Sequence, residues 1–168
     1  MIPVERNFLE LRDLKNLRFN SSKQNKFLIK KIKPDFQLNK FFYKQVGKKH
    51  RWIDRLSWTD EKWISFISNK NLETYVISEF EDLIGFFELL YNPNLNETEI
   101  SYFGLLEEYI GKGIGGYALS EAIKKSFEKN IKRVWLHTCT LDHPNALKNY
   151  IARGMTVFKK ENINILNS

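Results

Sequence analysis

The chain has 168 residues, of which 42% are hydrophobic and 14% aromatic, enough apolar mass for one buried core, so a disordered or fibrous protein is excluded. A single cysteine, Cys139, excludes an internal disulfide framework and a multi-cysteine zinc site, and no run approaches the roughly 18 to 20 apolar residues of a membrane helix. The net charge of +7 is concentrated at the front, where residues 1–55 carry 15 Lys and Arg against 5 Asp and Glu. Such a surface suits nucleic acid, an anionic ligand or an acidic partner. No nucleic-acid-binding motif accompanies it, so a solvated basic face is the preferred reading. The first six residues lack the apolar core of a signal peptide, and a cytoplasmic location is expected.

In chain order, residues 6–12 alternate weakly and predict a first strand, and the basic, aromatic stretch 15–49 is read as helical. Within 58–67, Thr59 or Asp60 can cap a short helix that places Trp63, Ile64 and Ile67 on one face. Three strands are predicted at 73–78, 83–91 and 97–105, with turn-rich segments at 79–82 and 92–96, which makes an antiparallel meander. Leu119, Ala122, Ile123 and Phe127 then recur at helical spacing as far as Asn130. A strand at 133–137 follows, then a helix capped by Asp142 or His143, with Pro144 in its first turn and a stop at Gly154. A last strand opens at 155–158. This order predicts one α/β (α+β) domain, 1–168, around a mixed sheet.

The run Gly111-Lys112-Gly113-Ile114-Gly115-Gly116 lies between a strand and an amphipathic helix. Glycines there let a ligand approach the backbone, and the unpaired N–H groups of a helix start attract anions. The phosphate loop of NTPases fits poorly, since no Ser or Thr follows Lys112 until Ser120. A dinucleotide fingerprint fits poorly as well, because the turn comes late, after an antiparallel meander.

From Glu99 to Gly154 the sequence resembles the core of the GCN5-related N-acetyltransferase (GNAT) superfamily. The family's Gln/Arg-x-x-Gly-x-Gly/Ala turn matches Ile110 to Gly115, with Ile110 in the first polar position. Its Asn-x-x-x-x-Tyr-x-x-x-Gly-Phe signature matches Asn145, Tyr150 and Gly154, with Met155 in place of Phe. The run from His137 to Asn145, with Tyr102 to Leu105 upstream, is similar to a bacterial subgroup of unknown acceptor.

The resemblance implies a GNAT fold, a strongly twisted central sheet flanked by helices and splayed near Leu105, with acetyl-CoA entering from one side and an amine acceptor from the other. The strand through Phe103 and Leu105 would offer backbone groups to the pantetheine arm. The main chain of Gly111, Lys112, Gly113, Ile114, Gly115 and Gly116 would grip the diphosphate, with Asn145 at the start of the following helix.

A lysine-like amine has a pKa near 10.4 and must lose a proton before it can attack, so a carboxylate within reach is useful. Glu99 is the first candidate, from its family position, and strict alternation would put it on the same face as Ser101 and Phe103. Glu88, in an apolar strand, is the second. For either, the alternative is an exposed or salt-bridged glutamate. Tyr150 fits as the acid that protonates the departing thiolate, its alternative being a packed helix tyrosine.

His137, His143 and Asp142 are read as capping and packing groups rather than metal ligands, Cys139 as a small buried residue, and the four tryptophans as core or pocket wall. Direct transfer in a ternary complex is expected, with no metal. The acceptor remains open among a protein N-terminus, lysine, polyamine, amino acid and aminoglycoside-like drug. Competing readings are a non-catalytic acyl-CoA sensor and, with less support, a nucleic-acid module built on residues 1–55. A homodimer is compatible with the sequence.

Overall fold

A computed structural model describes residues 1–166. The strands are β1 (Ile2–Leu11), β2 (Leu28–Lys31), β3 (Leu72–Glu79), β4 (Asp82–Asn92), β5 (Glu97–Leu105), β6 (Arg133–Cys139) and β7 (Thr156–Ile165). The helices are α1 (Phe36–Gly47), α2 (Asp60–Ile67), α3 (Ile114–Ser126) and α4 (Ala146–Ala152). All seven strands join one mixed sheet in the order β2-β3-β4-β5-β6-β1-β7.

β3, β4 and β5 form the expected antiparallel meander. Their buried residues divide between two layers. Tyr75, Ile77, Phe87, Leu89 and Ile100 pack on the side of α3 and α4, against Leu119, Ile123 and Tyr150. Val76 and Phe86 pack on the other side, against Phe42 and Val46 of α1, and the Phe42 and Phe86 rings stack 5.1 Å apart.

One consequence of a register shift in β5 governs the site. Glu88 pairs with Tyr102 and Leu89 with Ile100, so Ser101 is an extra, bulged residue. Beyond a bulge the alternation of faces is reset, which overturns the expectation that Glu99 shares a face with Phe103. Phe103 packs into the α3/α4 core, whereas Glu99 feels the charges of Arg55 and Glu88 on the α1/α2 side.

β5 and β6 pair in parallel only from Glu97↔Arg133 to Glu99↔Trp135. The sheet therefore splits directly after Glu99, earlier along β5 than the expected place near Leu105. The bulge bends β5 away from β6 at that point, leaving the edges of both strands open.

Four further expectations change. β1 is longer than 6–12 and lies between β6 and β7, antiparallel to both. Residues 15–49 hold only α1 as an α-helix, with β2 before it. On α2, capped by Thr59, Trp63 and Ile67 are buried but Ile64 is 46% exposed, so the three do not share one inward face. α4 starts after Asn145, because Asp142 is held by the Thr138 hydroxyl at 2.6 Å and the Cys139 N–H at 3.0 Å instead of capping a helix.

Candidate active site

The split opens into a cavity of about 390 Å³ that crosses the sheet. On the α3/α4 side it is bordered by the glycines at 111, 113, 115 and 116, by Asn145 and by Tyr150. Phe103 and Leu105 of β5 form one wall and His137 of β6 the other. Trp52 and Asp54, from the loop joining α1 to α2, close the opposite end. Of the residues expected to meet the cofactor, Lys112 and Ile114 do not border the cavity. Lys112 is exposed, its ammonium 5.3 Å from the Tyr109 ring, and the Ile114 side chain is buried in the core, so only its backbone faces outward.

Gly113 occupies the N-cap of α3 with φ of 77°, a left-handed conformation that a side chain would strain, and no side chain caps the helix. The first N–H groups of α3 are thus free to meet an anion. Groups from elsewhere in the chain gather around them. A Cβ on Gly113 would stand 3.4 Å from Lys23 Cε, and one on Gly116 would collide with Arg153 and Asn20. Burial lowers the Arg153 pKa, and its Nε has no hydrogen-bonding partner among the described residues. Asn20 is fixed because its N–H donates to Ser120 Oγ at 2.9 Å, and that hydroxyl donates to Gly116 O at 2.7 Å.

The two candidate carboxylates have different fates. Glu88 is fully buried, Arg55 Nη1 donates to both of its oxygens at 3.0 Å, and Asn39 Nδ2 donates at 2.9 Å. Arg55 itself sits among the rings of Tyr43, Trp58, Trp63, Phe66 and Tyr102, with Phe66 at 4.2 Å and Tyr102 at 4.4 Å. Glu88 therefore ties down the α1–α2 loop and is screened from the cavity. Glu99 is half-buried with no hydrogen-bonding partner among the described residues. Burial raises its carboxyl above the usual range, Arg55 opposes the rise and Glu88 adds to it. It lies at the apex of the split without bordering the cavity.

Tyr150 does border it, from α4. Burial pushes its phenol far above the usual value, with Asp142 contributing, so it stays protonated at neutral pH. Its hydroxyl has no hydrogen-bonding partner among the described residues. Among those residues, no group of three His, Cys, Asp or Glu side chains gathers as metal ligands would.

Residues 35–155 match the model of the acetyltransferase (GNAT) family. The chain belongs to the GNAT acetyltransferase family. No curated protein matches it significantly. Solved structures share its fold at low identity. A GCN5-related N-acetyltransferase from Sphaerobacter thermophilus has a TM-score of 0.67 and 14% identity, covering 94% of this chain and 49% of its own. One from Kribbella flavida has a TM-score of 0.65 and 14% identity, covering 91% and 54%. An aminoglycoside acetyltransferase from an uncultured soil metagenomic sample has a TM-score of 0.66 and 13% identity, covering 88% and 99%. The chain thus spans about half the length of the first two.

Within this GNAT domain, Lys23, Arg153 and Asn20 at the glycine turn and Arg55 behind the α1–α2 loop escape prediction from sequence. Each reaches its place through contacts distant in the chain, and none occupies a specified position of a motif. His137 packs on Phe8 as expected and also borders the cavity.

Proposed function

We propose that this GNAT domain transfers the acetyl group of acetyl-CoA to a primary amine, directly, with both substrates bound. The observation that carries the reading is one continuous cavity, running from the uncapped start of α3 through the split sheet to Asp54. At one end, the amides of Gly113 to Gly116 supply an anion cradle, and Lys23 and Arg153 add positive charge suited to a diphosphate. The unpaired edge of β5 beyond Glu99 offers its backbone groups to an extended, amide-bearing arm.

At the other end, the Asp54 carboxylate favours a cationic amine. Glu99 does not border the cavity, so any proton it takes must arrive through water. Tyr150, kept protonated by burial, is suited to give a proton to the departing sulfur. Holding both reactants in one cleft provides the larger share of the rate, and proton transfer by positioned groups adds about 10²- to 10⁴-fold. Among the described residues no helix is long and apolar enough to cross a membrane.

The test is a turnover screen of acetyl-CoA against a library of amines, read as free thiol. Thiol release that depends on an added amine is expected. Protein that binds no CoA and releases no thiol with any amine contradicts the proposal.

A further inference from the structure

His137 follows Trp135, the last β6 residue paired with β5, by two positions, so it is the first side chain on that face beyond the split. It lies opposite Phe8 of β1, the two rings 5.6 Å apart, and its other side opens to the cavity. Neither of its ring nitrogens has a hydrogen-bonding partner among the described residues. The other two histidines at the cavity are partly committed. His50 Nδ1 lies 3.2 Å from Leu141 O, and His143 Nδ1 accepts the Asn145 N–H at 3.1 Å.

We propose that His137 takes the proton from the acceptor's ammonium group, because its uncommitted imidazole borders the cavity at the split, where Glu99 does not. The assignment rests on the acetyl-transfer reading given above. In the reaction, the ammonium gives one proton to His137, which later passes it to water. The freed nitrogen lone pair forms the bond to the acetyl carbon, and the carbon–sulfur bond breaks with its electron pair going to sulfur. Tyr150 gives its proton to that sulfur and regains one, through water, from the newly acylated nitrogen. One proton is released per amide formed, and no other reactant is required.

The charged and titratable groups facing His137 come from four elements. β1 provides Arg6, β7 Glu161, the turn after β6 Asp142 and His143, and the α1–α2 loop His50, Arg51 and Asp54, with Cys139 next along its own face. The side chain is exposed where it meets the cavity, and the loss of solvent around its packed face lowers the imidazole below its usual value. Arg6 acts in the same direction, while Asp142, Asp54 and Glu161 oppose it. That direction favours the neutral ring, the form that can accept a proton.

The experiment uses His137→Gln, His137→Ala and Glu99→Gln in the full chain, with acetyl-CoA and with spermidine, lysine amide and kanamycin as probe amines. Both His137 variants should bind CoA as the parent does and lose about 10²-fold in kcat/KM for the amine. The acidic limb of the parent's pH profile, centred below the ordinary histidine value, should disappear. Added imidazole should restore His137→Ala, a response that a packing role would not give. Glu99→Gln should keep the acidic limb. Full activity in His137→Gln, or a loss with an unchanged pH profile and no rescue, overturns the assignment while acetyl transfer stands. Protein that binds acetyl-CoA but acetylates none of the amines overturns it too, and absence of CoA binding overturns both readings.

Discussion

Arg55 and Glu88 form an ion pair almost wholly removed from water, with side-chain exposures of 7% and 0%. Five aromatic rings surround the guanidinium, so the pair is reached by neither bulk solvent nor the cavity. Removing one partner of such a pair leaves the other charged and unpaired. Arg55→Ala should lower stability by about 3–5 kcal/mol. For a chain of this length that is a fall in Tm on the order of 10 °C. Thermal unfolding followed by circular dichroism measures it. A drop of only a degree or two would show that the pair does not anchor the α1–α2 loop.

Gly154 has φ of 101°, and a Cβ there would strike the backbone oxygen of Asn16. That obstacle cannot rotate away, because the neighbouring Arg18 N–H is held by Arg153 O at 2.9 Å. Gly154→Ala should destabilise the fold by about 1–3 kcal/mol, and urea titration reads the change. An unaltered midpoint would mean that the segment packed on α4 is loosely held.

Tyr150→Phe removes a hydroxyl without a hydrogen-bonding partner among the described residues, so stability should scarcely change. The expected effect is a loss of about 10²-fold or more in kcat with the KM for acetyl-CoA unchanged. Because the Tyr150 phenol is raised far above neutrality, no alkaline loss of activity near pH 8 should come from it. Steady-state kinetics from pH 6 to pH 9 on both proteins checks this.

The sign of the Glu99 effect on stability follows from its raised carboxyl pKa. Any stability tied to its protonation is fully present below the ordinary value near 4.5 and lost as pH rises through the higher folded value. At pH 7 the ionised carboxylate is therefore a cost, and Glu99→Gln should melt higher than the parent. The difference should vanish near pH 4. Melting curves at both pH values decide the point, and a lower Tm for Glu99→Gln at pH 7 would mean that Glu99 has a compensating partner.

Much of the fold is legible from local pattern. β3 to β5 show apolar alternation broken by short turns, and the glycine turn before α3 follows from its spacing alone. What escaped notice depends on contacts between distant residues. The insertion of β1 between β6 and β7 leaves no mark on the β1 sequence, and β2 is too short to show a period. The Ser101 bulge changes which face Glu99 occupies, yet a bulge inside an apolar strand looks like any other residue. Lys23 and Arg153 meet at the glycine turn although 130 positions separate them; Lys23 lies in no motif, and Arg153 fills an unspecified position of the Asn145–Met155 signature.

The measurement that bears most directly on the central claim is calorimetric titration of CoA into the folded protein and into a Lys23→Ala, Arg153→Ala double variant. The parent should bind in the micromolar range. The variant should bind at least tenfold more weakly, as expected when charge-assisted contacts to a diphosphate are removed. No heat from the parent at millimolar CoA would contradict the account.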